Sequence, residues 1–289
     1  MIIEISIIFA FCAMLCWAFG DFCIQHSTRK VGNIEIMAII GIVGSIGLLP
    51  FVIFDFKLLS SVQNIVLVSV LGVITFVMSV VDFEALKEGK LSVVEVILEI
   101  ELPVTVVLSV IFFRESLQLY QFVIMFVMLL GLILIATKSF SHWKTKLERG
   151  AILALLSAFL MGLTNFLTAK SSRSVSPMMA VWVPWVIFTV ISIIIIIRRG
   201  DVRKFGANII QFKWLLLITG IIDTLSWVFY AYATRSYDVA IITAITECYP
   251  AVAMFLGLWL NKENIRWYQY VGAVFALAGS IILALTAHV

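Results

Sequence analysis

The sequence predicts an all-α integral membrane protein: ten transmembrane helices arranged as two inverted five-helix repeats. Three observations carry this. Hydrophobic residues make up 63% of the 289 positions and charged residues 13%, with a mean hydropathy of +1.13. A soluble domain has about 45–50% apolar and about 25% charged residues. Ten stretches reach the roughly 20 largely apolar residues that a spanning helix needs. The second half also repeats landmarks of the first, in the same order.

On that ruler the spans fall at roughly 4–25, 34–56, 62–83, 91–113, 119–137, 149–170, 178–198, 212–234, 239–260 and 267–287. The first lacks a basic region before its apolar run and a small-residue cleavage site. It is expected to be a retained helix, not a signal peptide. Trp17 and Asp21 are four apart and share a face of it. The second ends at Asp55-Phe56-Lys57. The third closes with Asp82 and Glu84, which are expected to be solvated, and Lys87-Glu88-Gly89-Lys90 follows.

The fourth span, LSVVEVILEIELPVTVVLSVIFF, is apolar yet carries Glu95, Glu99, Glu101 and Pro103. Glu95, Glu99 and Pro103 recur every four residues, so they share a face. Glu101 lies on another side and is expected to reach a neighbouring helix. Proline lacks an N–H and frees the carbonyl four back, here that of Glu99. A carboxylate beside a freed carbonyl suits a bound cation or a proton. Acidic groups at membrane depth are costly and mark function by default.

Glu115 follows the fourth span and Glu263 the ninth. Both are expected to bond backbone N–H groups at the start of the next helix. In the fifth and tenth spans Gly131 and Gly279 suit close helix packing. The seventh has Trp182 and Trp185 flanking Pro184. In the eighth, Asp223, Trp227 and Tyr230 follow i, i+4, i+7 spacing. The ninth places Thr243 and Glu247 on one face, just before Pro250.

The connections are short and leave no room for a soluble domain. Loops after odd-numbered spans carry 15 of the 20 Lys+Arg and loops after even-numbered spans carry 5. The positive-inside rule then predicts a multi-pass protein of the plasma membrane with cytoplasmic odd loops and both termini outside.

The repeat is legible in two places. WAFGDFCIQHSTRKVG (Trp17–Gly32) aligns with MGLTNFLTAKSSRSVS (Met161–Ser176), placing Phe22 on Phe166 and Arg29 on Arg173. Glu101–Phe122 aligns with Cys248–Tyr270, placing Pro103 on Pro250 and, after a one-residue insertion, Glu115 on Glu263 and Gly131 on Gly279. Five spans per half invert the second copy. Residues 1–145 and 146–289 form the two repeats, joined by the basic segment 138–149. Inverted repeats are a transporter device built around a midplane site.

These landmarks resemble the drug/metabolite transporter superfamily, and within it the EamA-type ten-helix transporters. Each half of that family opens with a Trp-Gly-like pair, here stretched to Trp17-Ala18-Phe19-Gly20 and reduced to Met161-Gly162 in the second half. The family's proline and closing glutamate match better, as Pro103…Glu115 and Pro250…Glu263. The resemblance covers essentially the whole chain. It implies transport of a small solute and leaves amino acids, sugars, nucleotide sugars, amines and drugs all open.

The residues themselves narrow this. No Lys or Arg lies in the middle of a span. Several uncompensated carboxylates are therefore expected to be neutral much of the time, as a proton-coupled carrier needs. An anionic substrate is disfavoured. The candidate substrate and proton site comprises Glu99, Glu95, Asp223, Glu247, Trp227, Tyr230, Asp21, Trp17, Trp182 and Trp185, with Pro103 and Pro250 as helix kinks. Aromatic faces beside carboxylates would cage an ammonium group.

The expected partners are the bilayer, a small-molecule substrate and protons. No P-loop, HExxH or GxSxG motif is present, so neither ATP drive nor enzymatic activity is expected. The four cysteines and three histidines lack metal-ligand spacing, so no metal or cofactor is expected. A net charge of +3 gives no footprint for nucleic acid. The leading expectation is secondary transport of a small organic solute (an amino acid, amine or drug-like metabolite), as proton-coupled export by alternating access. Import of an amine or quaternary ammonium compound is the alternative, and a non-transporting receptor or assembly protein is the alternative of another class.

Overall fold

The structure is a computed structural model that describes residues 5–88, 97–137, 149–261 and 265–286. It is all-helical in those residues. The helices are α1 (Ile5–Val31), α2 (Asn33–Val52), a 3-10 turn (Ile53–Ser60), α3 (Val62–Glu88), α4 (Glu101–Phe113), α5 (Leu119–Ala136), α6 (Arg149–Ser174), α7 (Pro177–Arg199), α8 (Val202–Ser236), α9 (Val239–Thr246), α10 (Tyr249–Asn261) and α11 (Trp267–Thr286). Among the described residues nine helical stretches are long and apolar enough to span a bilayer, and α4 is a shorter apolar helix.

Burial is arranged for lipid. Phe54, Leu119 and Trp267 are about four-fifths exposed, whereas Thr105, Ser109, Ser157, Ser172, Ser226, Thr234, Thr243 and Thr246 are fully buried. Hydroxyls gain from facing other helices when the outer solvent is hydrocarbon. Most bond the carbonyl three or four residues back, as Thr234 Oγ1 does to the Tyr230 carbonyl at 2.9 Å.

Helix pairing carries the inverted repeat. The most extensive packings are α1 on α8, α3 on α6, α2 on α7 and α5 on α11. The first and third helices of each half thus pack on the third and first of the other. The second and fifth helices, and the fourth span through α4 against α9, meet their own repeat mates.

Small residues set two of these approaches. A Cβ on Gly131 or on Gly272 would run into the other glycine's carbonyl, and one on Gly279 into Met128. These positions let α5 and α11 lie backbone to backbone, as expected for Gly131 and Gly279. Gly44 leaves room for the Trp185 ring against α2.

Two spans are broken where continuous helices are predicted. The fourth is interrupted by a turn at Glu99-Ile100 before α4, and the ninth by a turn at Glu247-Cys248 between α9 and α10. Pro103 and Pro250 do not kink a continuous helix. They sit in the first turn of α4 and of α10, where a missing N–H costs nothing. The turns tighten to i−3 bonding, with Ile100 N–H on the Ile97 carbonyl at 3.1 Å and Cys248 N–H on the Ile245 carbonyl at 3.2 Å.

Candidate functional site

The two breaks meet. α4 leads from its break to the loop at Arg114, and α9 leads from the loop at Asp238 to its own break. Both loops lie on the face of the even-numbered connections. At 1.5 Å per residue, α4 is roughly 20 Å long and α9 roughly 12 Å, so the breaks lie near half depth. Half-helix ends at the midplane are where such folds place polar ligands.

At this crossing the Glu101 and Glu247 carboxyl groups lie in hydrogen-bond contact. Asn165 Nδ2 of α6 donates to Glu247 Oε1 at 3.5 Å. Glu101, the first residue of α4, belongs to the first repeat and Glu247 to the second. The pair therefore joins the two repeats. Thr105 of α4 adds a bond across the same seam, donating to the Gly162 carbonyl at 3.3 Å.

Glu99 is half-buried in the turn itself. It lies within electrostatic reach of Glu101, Cys248 and Tyr249. Glu95 and Glu263 fall outside the described residues. Asp82 is not solvated: it is half-buried, accepts a bond from Ser157 Oγ at 3.0 Å and faces Glu101.

Aromatic rings pack beside this crossing. Trp17 meets Trp227 edge-on at 5.3 Å between centroids, Tyr230 at 5.5 Å and Tyr249 at 6.3 Å. Trp185 stands edge-on to Trp227 at 6.4 Å. The Trp185 indole N–H donates to Thr224 Oγ1 at 3.1 Å, and Tyr230 and Thr243 share a hydroxyl bond of 2.8 Å. Both bonds fix ring orientation. Tyr249 lies in the combined field of Asp21, Glu101, Glu247 and Glu99.

Asp223 sits one turn before Trp227 and is buried. Asp21 is on the exposed side of α1. Trp182 stands apart from the cage. Its indole N–H donates to the Ser45 carbonyl at 2.9 Å and its ring meets Phe56 edge-on. It fastens α7 to the end of α2.

The structure thus brings together Trp17, Trp185, Trp227, Tyr230, Glu99 and Glu247. It adds Glu101, Asn165 and Tyr249, which the spacing argument did not put in the site. Sequence signals pointed to two of these, Asn165 and Glu101. Asn165 is the repeat mate of Asp21, since Phe166 is that of Phe22. Glu101 and Glu247 stand just before the two repeated prolines. A small cavity behind the cage is lined by Leu71, Thr75, Thr168, Ala180, Val181, Pro184, Trp185 and Trp227.

A latch closes the same bundle on one face. Glu115 accepts from the N–H groups of Val239 at 2.8 Å and Ala240 at 3.1 Å, and from Arg173 at 3.2 Å. Arg173 also donates to the Thr234 and Tyr237 carbonyls and covers the Phe113 ring. Burial and the Glu115 carboxylate raise Asp238, in the adjoining loop, above its ordinary carboxyl range, while Arg173 opposes this.

The chain matches the profile of the EamA-like transporter family twice, over residues 4–137 and 148–285. A solved crystal structure of a protein superposes with a TM-score of 0.80 at 14% identity, covering 98% of this chain and 97% of that one. Among curated proteins none matches significantly.

Proposed function

The chain belongs to the EamA-like transporter family, and from that premise we propose that it is a proton-coupled secondary carrier of a small, amine-bearing organic solute. The observation that carries this reading is the Glu101–Glu247 carboxyl contact between the repeats, beside a cage of Trp17, Trp227, Tyr230 and Tyr249; an ionised carboxylate only accepts hydrogen bonds, so in this reading the pair shares one proton. A cation entering the cage is attracted by the ring faces. Its charge replaces the shared proton at the carboxyl pair. Release of one species then accompanies uptake of the other, which is exchange.

With the acidic side outside, protons running inward drive the amine out, so export is the direction this chemistry favours. The Lys/Arg distribution supports a plasma-membrane protein with both termini outside. The Glu115–Arg173 latch then closes the outer face, and the site opens next toward the cytoplasm.

The test is counterflow in proteoliposomes with an imposed pH gradient and a panel of amines, amino acids and sugar phosphates. Wild-type protein should accumulate amines against the proton gradient. Glu101→Gln and Glu247→Gln should each lower gradient-driven flux at least tenfold while leaving amine-for-amine exchange measurable. Undiminished pH-driven flux in both variants would sink the coupling role. A preference for phosphorylated sugars would sink the substrate class.

A further inference from the structure

α8 is too long for the bilayer it crosses. Its 35 residues would measure roughly 52 Å as a straight helix, against a hydrocarbon core of roughly 30 Å. It bends at Phe212, where φ is −114° and ψ 20°. The residues after the bend suffice to span. Residues 202–211 are left over at the membrane face.

That leftover segment is amphipathic. At about 100° per residue, Val202, Ile209 and Ile210 fall within one sector of about 100°, and all three are exposed. Lys204, Asn208 and Gln211 occupy the opposite side, with Arg203 at the boundary. Phe205 and Phe212 point inward and pack on the core. An exposed apolar stripe bounded by cations is the pattern of a helix lying in the headgroup plane. Trp214 is 67% exposed just past the bend, with Lys213 Nζ 5.6 Å from its ring centroid.

Among the described residues the exposed charge around it has one sign. Arg198 and Arg199 end α7, Arg203 and Lys204 begin α8, and Arg29 and Lys30 end α1. Lys30 Nζ lies 5.2 Å from the Phe212 ring centroid, which puts the α1 cluster on the same face. All of these cations and Lys213 are exposed, whereas the nearby acids Glu35 and Asp201 are buried and half-buried.

We propose that this face is a docking surface for anionic phospholipid headgroups, with residues 202–211 as its interfacial helix. Cations near such a surface attract negative lipid additively, and salt screens the attraction. The apolar stripe requires a bilayer behind the charge, so the occupant is lipid and not a soluble polyanion.

The experiment uses the full chain purified in a neutral detergent, with thermal stability read after adding phosphatidylglycerol, phosphatidylcholine or inorganic phosphate. Phosphatidylglycerol should raise the Tm by several degrees more than phosphatidylcholine, and phosphate should add nothing. An Arg203→Gln/Lys204→Gln double variant should lose at least half of that extra gain while keeping the phosphatidylcholine response. If that variant fails to fold, the wild-type gain measured from low to high sodium chloride decides, and it should shrink with salt. Equal gains from the two lipids, a gain from phosphate alone, a full gain in the double variant, or a salt-independent gain overturns the proposal.

Discussion

Glu115 stands in the loop after α4, four residues before Leu119, where the next helix begins and its first turn needs partners. Sequence spacing assigns it to that next helix. The structure assigns it to α9 in the other repeat, because α5 is already capped. Gln118 and Gln121 form a reciprocal capping box there, with Gln118 N–H on Gln121 Oε1 at 2.8 Å. The carboxylate is left for the uncapped N–H groups of Val239 and Ala240. The identity of the capping residue was readable, but its partner depended on a competition between two helix starts. Glu115→Ala removes two bonds to a charged acceptor and the Arg173 partner. Hydrogen bonds to charged groups contribute about 1.5–3 kcal/mol each, so the loss should be about 3 kcal/mol, seen as a lower Tm in detergent. Glu115→Gln keeps an acceptor and should fall between. At the cage, Trp227→Ala removes the ring that meets both Trp17 and Trp185. It should weaken amine binding roughly tenfold or more through lost cation–π attraction, measured by thermal shift against an amine series, with a smaller effect on a neutral isostere.

At the scale of helices, the sequence marked the right places and misjudged what happens there. The apolar ruler began the eighth span at 212, and α8 bends at Phe212. Both repeated prolines lie at the crossing of the repeats. A proline in an apolar run reads equally as a kink or as a new start, and only the helix that packs beside it decides. Here α4 and α9 need their ends free to meet, so each span breaks. The break turns Glu101, and not Glu99, toward Glu247. Helical periodicity holds only within one helix, so the shared face argued for Glu95, Glu99 and Pro103 does not carry across the turn. Pro250→Ala returns an N–H to the Thr246 carbonyl. It should let α9 and α10 run together, withdraw Glu247 from Glu101 and lower gradient-driven flux at least tenfold. Folding should be unharmed, because one hydrogen bond of about 1 kcal/mol is gained. Flux together with a thermal scan separates this outcome from simple unfolding.

For the whole molecule, the decisive feature is that each half leaves its helices unpaired without the other. α1 of the first repeat packs on α8, α6 of the second on α3, and the remaining helices meet their own mates across the seam. Sequence self-similarity made the five-plus-five plan and its inversion readable, since an odd span count forces it. It carried no information on which helix meets which, because lipid-facing and partner-facing apolar residues look alike without a surrounding phase to sort them. The pairing has a consequence for assembly. The halves should behave as two parts of one fold and not as two domains. Residues 1–145 and 146–289 produced as separate chains in one cell should co-purify through a single tag and restore flux in proteoliposomes. Either half alone would lose the bonds that cross the seam, such as Ser27 with Thr219, Ser157 on Asp82, and Val239 and Ala240 on Glu115, at several kcal/mol per group left unsatisfied in hydrocarbon, and should aggregate or be degraded. A half that remained monodisperse alone would show that its polar groups find partners within the repeat. Alternating access would then need a hinge elsewhere than the α4–α9 seam.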